Sequence, residues 1–206
     1  MTQPDFEQAR RYALGRLERE LSPKLVYHSL GHTRDDVVPA AERLAAQEGV
    51  VGEELLLLLT AAFYHDIGFV EQRTDHEDAG ARIASEVLPQ FGYSPAHIAA
   101  ISDMIMATKL PQASQTLPEK ILADADLDVL GREDFMARNR ALRAELAAYG
   151  QTTTDAQWHK SQLEFIQNHR YFTAAARTLR DAQKQKNIAA LRELIDRFNS
   201  QVQGGD

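Results

Sequence analysis

The sequence predicts an all-α fold, a helical bundle of about eight or nine helices. Three observations lead there. Apolar residues recur at three- and four-residue spacing, with no clear two-residue alternation. Proline, glycine or short polar caps stand at each expected helix boundary. The 206 residues, with no internal repeat and no low-complexity linker, suit one well-buried core.

The first helix is expected from about Asp5 to Leu21, with Phe6, Leu14, Leu17 and Leu21 near one face, broken by Ser22-Pro23. A second carries Val37, Val38, Leu44 and Ala45 and stops near Gly49; Pro39 sits in its early turns or kinks it. The next, Glu53 to Asp66, is apolar nearly all round and reads as the central buried helix, with Gly68 placed to end it. Helices over Glu77–Leu88, Pro95–Ala107, Pro118–Leu130 and Glu133–Tyr149 follow. Two more, Asp155–Asn168 and Thr173–Phe198, precede a frayed QVQGGD tail.

Composition narrows the class. Hydrophobic residues make up 44% and charged residues 26%, as in ordinary globular proteins. No apolar run reaches the roughly 18 residues of a membrane span, and no basic-then-apolar leader pattern opens the chain. A cytoplasmic location is the expectation. The net charge of −7 argues against a dedicated nucleic-acid surface. From His169 onward, however, seven Lys/Arg outnumber four Asp/Glu, so the last helix is basic and reads as a solvated face. Cysteine is absent, so any metal must be held by His, Asp and Glu.

Two features break the apolar pattern. His65-Asp66 closes the most hydrophobic helix, where a carboxylate is costly unless a cation or a basic partner neutralises it. In ILADADLDVLG three aspartates interrupt a buried helix. On a helical wheel Asp124 and Asp128 share a face and Asp126 points roughly opposite. The two stacked carboxylates call for something positive nearby. An EF-hand reading fails, because Val129 and Phe135 stand where glycine and glutamate are required. Asp124 is therefore expected to be a lone ligand from a helix, Asp128 an outer partner, and Asp126 solvent-exposed. In YHSLGHT, His28 and His32 are four residues apart, a metal-clip spacing, but Gly31 and Ser29 weaken the helix there. Spacing alone does not choose between the two histidines.

The order His32, His65-Asp66, Asp124 resembles that of the HD-domain metal-dependent phosphohydrolases. YHSLGHT, LLLTAAFYHDIGF, DHEDAGARIASEVLPQFGY, IMATKLPQ, ILADADLDVLGREDF and HRYFT look like successive blocks of one branch of that superfamily, the predicted HD phosphohydrolases. The resemblance implies a phosphodiesterase-like helical fold in a single HD domain over 1–206. Its core would be about 24–150, with the helices of 155–200 packed on it. It implies His32, His65, Asp66 and Asp124 as ligands of one tightly bound divalent ion, whether Mn²⁺, Mg²⁺, Fe²⁺, Co²⁺, Ni²⁺ or Zn²⁺. His76 resembles the first extra histidine of two-metal members, but no histidine stands near Thr108-Lys109, where the second is expected. The second metal site is thus incomplete and would be weak. Some HD nucleotidases carry a glutamate three residues after the HD pair; Phe69 stands there instead.

The expected activity is metal-assisted hydrolysis of a phosphomonoester or phosphodiester, with a nucleotide as the substrate class that the resemblance implies. Asp66 would orient water, and His76 and Lys109 would offset phosphate charge. His28, His76, Thr108, Lys109 and Asp128 are candidate substrate contacts. The alternative is a non-catalytic metal- or nucleotide-binding sensor. Either is compatible with a homodimer. No P-loop or other glycine-rich phosphate cradle is present.

Overall fold

The fold is described from a computed structural model over residues 4–203, with side chains through residue 197. Among the described residues it is all-helical. Nine α-helices follow in order: α1 Phe6–Glu20, α2 Val38–Glu48, α3 Gly52–Tyr64, α4 His76–Val87, α5 Pro95–Met106, α6 Leu117–Asp126, α7 Phe135–Ala148, α8 Asp155–Asn168 and α9 Ala174–Gln203. Four short turns link them: a π-helical turn over His32–Val37 and 3-10 turns over Ile67–Val70, Leu88–Phe91 and Asp128–Gly131. No described helix is long and apolar enough to cross a membrane.

Helix starts follow from local chemistry. The Asp5 carboxylate accepts from Gln8 N at 3.0 Å, and Thr116 Oγ1 accepts from Glu119 N at 3.4 Å. Ser94 with His97, and Thr154 with Gln157, form reciprocal capping boxes. His97 is thus a cap. Gly49, with φ of 76°, closes α2 in the left-handed region that a side chain would strain. Gly68 has a different reason. A Cβ there would lie 1.9 Å from the His76 carbonyl oxygen, so the glycine lets the start of α4 lie against the turn after α3. α3 has already ended at Tyr64, and Gly68 belongs to the following turn.

α3 is the hub. Leu58, Ala61, Ala62 and Tyr64 are fully buried among side chains of the helices around it, including Ala9 and Ala13, Leu44, Ile101 and Ile105, and Ile121 and Leu122. A second, smaller core joins Val129, Leu130, Phe135, Ile166, Ile188 and Leu191. It gathers the turn after α6, α7, α8 and α9. α9 is fastened to that turn by polar contacts. Arg180 grips the Asp128 carboxylate at 2.7 and 2.8 Å, and Asn187 donates to the carbonyls of Leu130 and Arg132 at 2.9 Å each. The helix runs on through Gln203, where fraying was expected; residues 204–206 of the expected tail lie outside the described residues.

Candidate metal centre

Four side chains converge where the ends of α3 and α6 meet the π-helical turn. α3 delivers His65 at its C-cap and Asp66 just beyond it, the turn delivers His32, and the last residue of α6 is Asp126. His32 Nε2 lies 3.2 Å from Asp126 Oδ1 and 3.7 Å from Asp66 Oδ2. His65 Nε2 lies 3.3 Å from Asp66 Oδ2 and 3.6 Å from Asp126 Oδ1. His65 and Asp66 are buried, yet His65 Nε2 and Asp66 Oδ2 have no hydrogen-bond partner. His32, His65 and Asp66 form a group able to hold a metal ion.

The donor set fits a divalent cation. Atoms bound about 2.0–2.2 Å from one ion stand roughly 3–3.5 Å apart, close to the spacings here. Tautomers are set as a metal needs. His65 Nδ1 donates to the Ala62 carbonyl at 2.8 Å, leaving Nε2 for the cluster. His76, the first residue of α4, points Nδ1 at the Arg73 carbonyl and Nε2 at Asp66 Oδ1, 3.3 and 3.4 Å away. Without an ion the groups neutralise one another. Burial opposes charge on His65 and His32, but neighbouring carboxylates outweigh it and raise both imidazoles. Burial also opposes charge on Asp66 and Asp126, yet the surrounding histidines hold both well below the usual carboxylate range.

Asp126, and not Asp124 as expected from the sequence, lies among the histidines. The Asp124 carboxylate accepts from Phe172 N at 2.8 Å, Thr173 N at 2.8 Å and Thr173 Oγ1 at 2.7 Å, tying α6 to the start of α9. Asp126, expected in solvent, faces His32 and His65. The helical wheel separated the residues correctly, with Asp124 and Asp128 on one side and Asp126 on the other. Which side faces the histidines depends on where α9 packs, and α9 takes the Asp124–Asp128 face.

Other expected contacts divide likewise. His28, Asp66, His76, Thr108 and Asp126 line a cavity of about 200 Å³. Lys109 does not; its ammonium sits 2.7 Å from both Asp75 and Asp78 on the surface. Asp128 is likewise spent on Arg180, away from the cavity. Glu77 also lines the cavity, whereas Glu71 pairs with Arg82 outside it. His169 also lies elsewhere, 2.9 Å from the Lys184 amine. Phe69 stacks between His28 and His76, with ring centroids 4.6 and 3.9 Å away.

Sequence reasoning missed Glu145 of α7. It is 1% exposed, and one oxygen accepts from the backbone N of Tyr27 and His28 at 2.8 and 3.0 Å. The other meets His28 Nδ1 at 2.5 Å. Burial works against its charge, but the His28 contacts prevail and lower its pKa. With the partners 117 positions apart, no local spacing could reveal the pair. Asp36 was missed as well. Burial opposes its charge, but His32, Arg132 and Arg138 lower its pKa to about 2. It is the carboxylate between the π-helical turn and α7.

Residues 27–128 match the family model of the HD domain, which makes this an HD-domain protein. A predicted HD superfamily hydrolase from an uncultured Thermotogales bacterium shares the fold, with a TM-score of 0.60 and 22% identity over 96% of this chain and 93% of that one. A Lactobacillus plantarum protein aligns with a TM-score of 0.70 and 19% identity over 97% of both chains. No curated protein matches significantly. An HD domain with this His/Asp group fits a metal-dependent hydrolase.

Proposed function

We propose that the protein is a metal-dependent phosphohydrolase acting on a nucleotide phosphate ester, with His32, His65, Asp66 and Asp126 as ligands of one tightly bound divalent ion. The observation carrying this reading is the pair of buried, unpartnered atoms, His65 Nε2 and Asp66 Oδ2, aimed at the same point as His32 and Asp126. A bound ion would polarise the phosphoryl group and acidify a water molecule.

The chain's own residues do the rest. His76 faces Asp66 at the cavity edge and meets phosphate charge, or binds a second, weaker ion. His28 is held by buried Glu145 through Nδ1, and when the ring is cationic its Nε2 has a proton to give to the departing oxygen. Phe69, stacked on both rings, keeps His28 and His76 in register and covers them from water. Thr108 lines the cavity, its hydroxyl spent on the Ile105 carbonyl at 2.8 Å.

The test is phosphate release from nucleotide and aryl phosphates across several divalent metals, comparing wild type with His65→Ala. Turnover in the wild type that vanishes in the variant is expected. Activity unchanged by the substitution would reject the site. A metal-loaded wild type with no turnover on any ester would leave the sensor reading in its place.

A further inference from the structure

The cavity beside the metal centre has two chemically different ends. Asp66, His76 and Asp126 form one. At the other, Val129, Leu130 and Phe135 are buried, and half-buried Leu142 and Phe165 form the rim. Asn139 of α7 and Gln162 of α8 are amides set in that apolar lining. A phosphate group has no use for such a lining, so this end is shaped for the organic part of the substrate.

The polarity of the two amides is fixed by one indole. Trp158, the single tryptophan of the chain, can only donate, and its Nε1 lies 2.7 Å from Asn139 Oδ1. The Asn139 oxygen therefore faces Trp158, and its nitrogen faces Gln162, donating to Oε1 at 2.6 Å. With Gln162 Oε1 accepting, its nitrogen is the atom left over. Among these amide groups, the unspent hydrogens are on Gln162 Nε2 and Asn139 Nδ2, and all of them donate. Size adds a second constraint. An apolar cavity of about 150 Å³ holds one benzene ring, so about 200 Å³ for the whole cavity, its polar end included, leaves room for a single ring and not for a fused pair.

We infer that this end of the cavity recognises a single planar ring whose leading edge carries a hydrogen-bond acceptor, and that Gln162, oriented by Trp158 and Asn139, reads it. For a nucleotide this means a pyrimidine with an oxo group at position 4, the ring position opposite the ribose. The inference rests on the phosphohydrolase reading only for the direction in which the substrate enters.

Uridine and cytidine 5′-monophosphates test it, because they differ at that position by an oxo acceptor against an amino donor. Trp158 emission, followed by stopped flow with the Mn²⁺-loaded protein, reports binding independently of turnover. Uridine monophosphate is expected to bind about tenfold more tightly, the scale of one buried polar mismatch. Gln162→Glu, which replaces the donor by an acceptor, should reverse the order. Equal affinities, an order unchanged in Gln162→Glu, or ribose 5-phosphate binding as tightly as uridine monophosphate would each overturn the inference. Phosphate release in the same samples separates the two readings. Discrimination without release rejects hydrolysis and keeps the pocket; release without discrimination does the reverse.

Discussion

Replacing Asp124 by alanine is expected to weaken the fold while leaving the metal in place. The carboxylate is fully buried and accepts three hydrogen bonds, from Phe172 N, Thr173 N and Thr173 Oγ1. A hydrogen bond to a charged group is worth about 1.5–3 kcal/mol, and a stranded buried N–H costs about 1–3 kcal/mol. These terms do not add, and burial raises the Asp124 pKa despite its bonds, which shows that desolvation offsets part of their benefit. A net loss of about 3 kcal/mol follows, or about 6–12 °C in melting temperature for a chain of this length. Thermal unfolding measures the loss, and metal analysis of the folded variant measures retention. Asp124→Asn should fall between the two proteins, because its oxygen still accepts while its amide nitrogen meets a donor. An Asp124→Ala protein that melts like the wild type but binds no metal would refute the assignment of Asp124 to the α6–α9 joint.

Gly68→Ala should cost about 2 kcal/mol or more, since the new Cβ would press on the His76 carbonyl; denaturant unfolding checks it. Glu145→Gln should lower kcat by about 10²-fold with metal content unchanged, because His28 loses its charged orienting partner. The pH response has two limbs. His32, His65 and His76 are raised above 6.5 despite burial, so their charge pairs stabilise the metal-free protein below that value and are lost as pH rises through the raised values. Asp66 and Asp126 are lowered, so their contribution is present above 3.8 and is lost as pH falls through the depressed values. Protons and metal compete for the same Nε2 atoms. The melting-temperature gain on adding Mn²⁺ should therefore grow as pH rises above the ordinary imidazole value of 6.5, and a gain independent of pH would contradict this.

The helices were legible because each obeys local rules. Leu58, Ala61 and Ala62 fall on buried positions of an all-apolar segment, and Ser94, Thr116 and Thr154 announce helix starts by their own hydroxyls. His65 and Asp66 could be suspected because charge at the end of such a segment must be answered. Residues whose role depends on a distant element were not legible. Asp124 and Asp126 sit two positions apart in the same helix, and only the docking of Thr173 and Arg180 decides which face is left for the histidines. Lys109 looked free to bind phosphate because Asp75 and Asp78 come to it from α4 and the turn before it. Asn139 and Gln162, which line the cavity, and Glu145, which holds His28, lie on α7 and α8, and nothing local in those helices marks them.

The central claim is that His32, His65, Asp66 and Asp126 hold one divalent ion. Metal content after purification and reloading with Mn²⁺, measured side by side for wild type, Asp124→Ala and Asp126→Ala, tests it most directly. About one tightly held ion per chain is expected in the wild type and in Asp124→Ala, and almost none in Asp126→Ala. Full metal in Asp126→Ala, with loss in Asp124→Ala, would contradict it.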